Sequence, residues 1–261
     1  MTKVSRRQAI RLAAALAGGS VIAGCKLTTE TPQYTLPDGR IEARPGTGVS
    51  VTATPGTFDV PETTNLSHGV YFVPASYNTS TPIPLLVVFH GAGQQAISLL
   101  GPLTALAEEL GVAMLAIKSR DSTWDVISRG LYGIDVNFLN RSLAGLFSRV
   151  RIDATRVGVA GFSDGATYAL SLGRVNGDLF SRIAAFSPGG IAAGGTPTGK
   201  PGVFISHGTQ DTILPISLTK NNILPLLQSE GYNVTFNEFA GGHQIPAALM
   251  RDAMVWLSAS R

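Results

Sequence analysis

The chain has 261 residues, of which 44% are hydrophobic and 14% charged, and its formal net charge is +3. Lys3, Arg6, Arg7 and Arg11 hold four of the twenty basic residues before any acid appears, so residues 25–261 carry a formal charge of −1, and the basic balance gives no electrostatic case for nucleic acid as a partner. One cysteine excludes an internal disulfide, so the fold must be held by its core.

In chain order, Ser5-Arg-Arg-Gln-Ala-Ile10 followed by the apolar run Leu12–Gly24 reads as an export signal rather than a membrane span. It ends in Val21-Ile-Ala-Gly-Cys25, where the single cysteine is placed for lipidation after cleavage. The expected layout is a signal over 1–24, a lipidated Cys25 with a flexible tether over 25–48, and one catalytic domain over 49–261. That layout predicts an exported lipoprotein, anchored to a membrane through Cys25 on the periplasmic side or at the cell surface.

Val49–Ala53 and Gly69–Val73 read as leading strands. Leu85–Phe89 and Val112–Ile117 are continuous apolar runs, as expected of strands covered on both faces. Leu99–Leu110 is helical and stops at Gly111; Asp135–Val150 repeats at helical spacing. Arg156–Ala160 and Arg182–Phe186 read as strands on either side of the helical stretch Ala166–Leu172. Gly202-Val-Phe-Ile-Ser-His-Gly-Thr-Gln-Asp211 is a strand ending at an acid, and Val234–Phe239 is the last strand. Ile216–Gly231 is a helix that Pro225 should kink, and Ala247–Leu257 closes the chain as an amphipathic helix. Strands alternating with helices imply an α/β fold with a mainly parallel sheet and helices on both faces. Only a Gly/Pro-rich stretch separates Ser187 from Pro201, which leaves no room for a large helical lid.

Gly161-Phe-Ser-Asp-Gly165 lies between a strand and a helix, the setting in which G-x-S-x-G turns sharply and lifts its serine clear of the sheet. Ser163 needs a base, and His68, His90, His207 and His243 are available. His243 follows the last strand in a glycine-flanked loop, whereas His207 stands only four residues before the acid Asp211. Asp211 is the expected partner of the imidazole; Glu238 and Asp178 are the alternatives. The order Ser163, Asp211, His243 matches one serine-hydrolase fold and not the others.

These pieces, together with His90-Gly-Ala-Gly93, His207-Gly-Thr-Gln-Asp211 and Gly241-Gly-His-Gln-Ile-Pro246, resemble the α/β-hydrolases of the phospholipase/carboxylesterase type, which include acyl thioesterases. Polyhydroxybutyrate depolymerase-like esterases are similar in pattern. The resemblance implies a serine hydrolase that cleaves small to medium acyl esters or thioesters through a Ser163–His243–Asp211 triad and an acyl-enzyme. It also implies an oxyanion hole from the amides of Asp164 and Ala92, with Gly93 in place of Ala92 as the alternative. Trp124 and Tyr132 lie in a long loop where such folds bind ligands, so they are candidates for the substrate pocket or for loop packing. Nothing in the sequence calls for a metal or another cofactor. A polyester or feruloyl depolymerase-like esterase and a non-catalytic lipoprotein binding module are the competing readings.

Overall fold

A computed structural model of the protein describes residues 38–50, 52–64 and 67–259. The expected export signal, Cys25 and the first part of the expected tether lie outside the described residues. Eight strands form one sheet: β1 (Gly56–Asp59), β2 (Gly69–Val73), β3 (Ile83–Phe89), β4 (Ala113–Ile117), β5 (Ile152–Phe162), β6 (Arg182–Phe186), β7 (Gly202–Gly208) and β8 (Val234–Phe239). Their spatial order is β1-β2-β4-β3-β5-β6-β7-β8. The first two strands run antiparallel at one edge, and β4 through β8 with β3 are parallel.

The central strands are apolar on both faces because helices cover both. Leu86, Val88, Met114, Ala160 and Ala184 point to one side, beneath α1 (Ile97–Leu110) and α6 (Ala247–Ser258). Val87, Leu115, Val159, Ile183 and Ile205 point to the other, beneath α3 (Ile134–Phe147) and α4 (Asp164–Val175). Side chains alternate between faces along each strand, so an unbroken apolar run feeds two cores at once. Gly111 closes α1 in the left-handed region at φ 65°, its amide reaching back to Ala107 and Glu108.

Three expectations needed correction. The strand read over Val49–Ala53 is not formed by its described residues; Ser50 and Ala53 instead donate to the carbonyls of Ser148 and Arg149 at the end of α3. Proline 225 does not break its helix. The chain widens into a π-helical turn over Thr219–Ile223 and continues as α5 (Leu224–Ser229), with the Leu224 amide bonded to Thr219 O, so the wide turn absorbs the missing donor.

The tether expected over 25–48 does not extend to residue 48 either. Ile41 is buried in the core beneath α3 and α4, and its amide donates to Asn176 Oδ1 at 2.8 Å. Asn140 Oδ1 accepts the amides of Glu42 and Ala43. Arg40 binds both oxygens of Asp178, and Arg44 adds a contact at 2.6 Å. Those two guanidiniums, Arg40 first, hold the Asp178 carboxyl down at about 2. Asp178, an alternative triad acid in sequence, is thus part of a clamp on the segment around Ile41.

Candidate active site

Between β6 and β7 the chain forms an irregular loop with no helix, so no lid covers the carboxyl edge of the sheet there. On that edge Ser163 joins β5 to α4 with φ 58° and ψ −123°. A side chain with φ in this range is strained, typically by ~1–3 kcal/mol, and persists only where its surroundings leave no alternative. Here they leave none. A Cβ on Gly161 would stand 2.0 Å from Gly165 O, and one on Gly165 would stand 2.1 Å from Phe89 O. The Ser163 amide is held by Phe186 O at 2.9 Å, and its carbonyl accepts the amides of Ala166 and Thr167.

His243 Nε2 lies 2.9 Å from Ser163 Oγ, and His243 Nδ1 lies 2.7 Å from Asp211 Oδ2. Three loops after β5, β7 and β8 thus bring together side chains that are far apart in sequence. Gly208 permits the last approach, since a Cβ there would come within 2.3 Å of Gly241 O. The amides of Thr209 and Gln210 donate to Phe239 O and Gly241 O, tying the acid loop to the histidine loop. The imidazole rests on the Phe162 ring, with centroids 4.7 Å apart.

Asp211 Oδ1 accepts the amides of Ile213 and Leu214, each at 2.9 Å. Burial pushes its pKa upward, but the bonds from His243, Leu214 and Ile213 outweigh that and leave it below the ordinary carboxylate value. His207 is not remote from this pair. Its Nε2 donates to Leu214 O at 2.7 Å and stands 3.3 Å from Asp211 Oδ2, while Nδ1 pairs with the Thr219 hydroxyl. It braces the acid from behind, a position its spacing from Asp211 did not disclose.

For an oxyanion, the amides of Asp164 and Ala92 are the donors the geometry leaves. Asp164 is the first residue of α4 and has no intrahelical acceptor. The Gly93 amide donates to Ser122 O at 2.6 Å, which leaves Ala92 as the candidate of the two. His90 fixes this loop. Its Nδ1–H donates to Gly91 O, its Nε2 accepts the Ser119 amide, and burial lowers its pKa, so it remains neutral.

Trp124 and Tyr132 do not line the cavity beside Asp164. Both are fully buried. Trp124 stacks on Tyr168 with centroids 4.5 Å apart and donates its indole N–H to His90 O, so it supports the oxyanion loop from within. The open space lies elsewhere. A cavity of about 400 Å³ beside Asp164 is lined by α2 (Asp125–Arg129) through Val126 and Ile127, by Thr167, and by residues 189–193. Two hydroxyls of α4, one turn apart, staple that last segment: Thr167 Oγ accepts the Gly189 amide and Ser171 Oγ the Ala192 amide.

The α2 side of the cavity is held by two buried acids. Asp125 Oδ2 accepts the amides of Gly133 and Asp135, while Asp135 accepts those of Arg120 and Asp125. Burial first, and the neighbouring Asp125 second, push Asp135 up to about 7. A carboxyl raised on folding favours the native state while it stays protonated. Its contribution is therefore full below the ordinary value near 3.8 and is lost as pH climbs toward about 7. The unfolding midpoint should fall over that interval, and Asp135→Asn should flatten the slope, as thermal melts at half-unit pH steps would show. A variant with an unchanged slope would refute the assignment. Among the described residues no group of three or more His, Cys, Asp or Glu side chains is arranged to hold a metal ion.

Residues 136–261, which include Ser163, Asp211 and His243, match the family described as Phospholipase/Carboxylesterase. No curated protein matches the chain in sequence. Among solved structures, an S-formylglutathione hydrolase from Staphylococcus aureus superposes with a TM-score of 0.62 at 13% identity, covering 78% of this chain and 98% of that one. An acetyl xylan esterase from Aspergillus awamori gives 0.62 at 17% identity over 77% and 98% of the two chains. The Bacillus cereus carboxylesterase gives 0.53 at 20% identity over 74% and 94%. Architecture, motif order and the match over residues 136–261 agree: the chain has the α/β-hydrolase fold, and its residues 136–261 resemble the hydrolytic enzymes of the phospholipase/carboxylesterase type.

Proposed function

We propose that the protein is a serine esterase that cleaves carboxylic esters, with thioesters as a second substrate class, through an acyl-enzyme on Ser163. The observation that carries this reading is the unbroken relay from Ser163 Oγ to His243 (2.9 Å) to Asp211 (2.7 Å), built on a strained turn. His243 takes the serine proton as Oγ attacks the carbonyl carbon, and Asp211 steadies the imidazolium that forms. The amides of Ala92 and Asp164 stabilise the oxyanion, a contribution of ~2.7–4 kcal/mol per donor in comparable sites. The leaving alcohol or thiol then takes the proton from His243, and water, activated by the same imidazole, releases the acid. Neighbours described as an S-formylglutathione hydrolase and an acetyl xylan esterase support a range spanning thioesters and oxygen esters.

A fluorophosphonate probe tests the nucleophile directly. Covalent labelling should map to the peptide carrying Ser163 and vanish in Ser163→Ala. Labelling that persists in the variant, or none in the wild type, would exclude the mechanism.

The same proposal extends to location. The pattern around Cys25 supports an exported lipoprotein anchored through that residue. Cells fed a radiolabelled fatty acid should incorporate it into the wild-type protein and not into Cys25→Ser; equal incorporation would refute the anchor.

A further inference from the structure

The leaving group of the ester must sit beside His243 Nε2, because that nitrogen returns the proton to it. The imidazole rests on Phe162, and Phe162 and Ile245 pack on the α1/α6 side of the sheet. The 400 Å³ cavity is on the opposite side. Its apolar walls, Val126, Ile127, Ile191 and Ala192, join the core beneath α3 and α4, and no residue of the His243 loop lines it. The cavity reaches the nucleophile's neighbour Asp164 from the side away from His243, so of the two halves of a substrate held at Ser163 the acyl half is the one that side can take.

Resting on the esterase reading above, we infer that this cavity is the acyl site, that it takes apolar acyl groups of medium length, and that the bare backbone at Gly190 sets its size limit. Three observations support the inference. Apart from Asp164 and Thr167 on the α4 side, its side chains are the aliphatic ones of Val126, Ile127, Ile191, Ala192 and Ala193, as an alkyl chain requires, and a volume of about 400 Å³ lies at the small end of ligand sites, suited to an acyl group on the order of eight carbons. A Cβ on Gly190 would meet nothing within 4 Å, and its φ lies outside the left-handed region. This glycine is therefore required neither by the backbone nor by close packing, and what its missing side chain leaves is space. Beyond it lies a second cavity of about 230 Å³, lined by Gly190, Ile191, Asn222, Ile223 and Leu226. A side chain at 190 would stand between the two. The Thr167 and Ser171 staples keep this wall in place as the chain enters.

The test uses p-nitrophenyl esters from acetyl to dodecanoyl, so that the leaving group is constant. For the wild type, kcat/KM should rise by about fourfold per methylene until the cavity is filled near octanoyl. Gly190→Leu should lose at least tenfold more on octanoyl than on acetyl. Ala192→Leu narrows the first cavity from another wall and should show the same split, which keeps the inference testable if one variant fails to fold. A matched series of alkyl acetates should be indifferent to both substitutions. Uniform loss on acetyl and octanoyl esters, or no change on either, would overturn the inference. So would selective loss on octyl acetate, which would place the alcohol in the cavity. If the wild type hydrolyses no ester, or Ser163→Ala is equally active, the esterase reading itself has failed; a Ser163-dependent acetyl rate with flat length dependence sinks only the acyl site.

Discussion

Ser163→Ala is expected to reduce kcat on a simple ester by roughly 10⁴–10⁶-fold while leaving KM nearly unchanged. The size follows from what remains. The amides of Ala92 and Asp164 and the acyl cavity would still bind and polarise the carbonyl, but His243 would have no hydroxyl to deprotonate. Direct attack by water, held by no covalent bond, is the only route left. The variant should fold with nearly the stability of the wild type, because it loses one hydrogen bond to His243, worth about 0.5–1.5 kcal/mol, and no core contact. Stopped-flow and steady-state assays with p-nitrophenyl acetate, with a thermal melt beside them, would measure both. A loss below a hundredfold would mean that another group is the nucleophile.

Asp211→Asn is the more discriminating substitution, with an expected loss of about 10⁴-fold in kcat. Oδ1 of Asp211 accepts the Ile213 and Leu214 amides, so an asparagine must keep its oxygen there to satisfy them. Its NH₂ group then faces His243 Nδ1, where a carboxylate oxygen had accepted a hydrogen bond. The imidazole answers by carrying its hydrogen on Nε2, which is the nitrogen that must receive the proton of Ser163. The relay is intact in outline and wrong in direction. Stability gives a second readout. The Asp211 carboxyl lies below its ordinary value, so its contribution is full above about pH 4 and is lost as acid protonates it. Wild-type protein should therefore lose stability more steeply than the variant below pH 4. A variant that retained more than a tenth of the wild-type rate would remove Asp211 from the relay.

Much of this site could be read in the sequence because its parts are sterically over-determined. At 161 and 165 any side chain would collide with backbone, so the two glycines flanking Ser163 announce the turn. Strands β3 and β4 declare themselves by apolar runs that only a sheet covered on both sides can absorb. The rest was hidden for identifiable reasons. The segment around Ile41 has no periodicity and is held by Asn140, Asn176 and Asp178, partners about a hundred or more residues away that no local pattern discloses. Trp124 is a large aromatic near the ligand edge, but its indole N–H is satisfied internally by His90 O, and that bond cannot be seen from composition. Strand β1 has four residues at an exposed edge, and α2 has five, too few for either period to register. The cavity wall at 189–193 is made of Gly, Ile and Ala, whose only signal is the room they leave.

The backbone geometry at position 163 bears on how this protein could age under selection. A serine there sits in a conformation that a glycine would occupy without penalty, so the proposed nucleophile also weakens the fold that carries it. A lineage freed from the need to hydrolyse anything would gain thermal endurance by Ser163→Gly in one step.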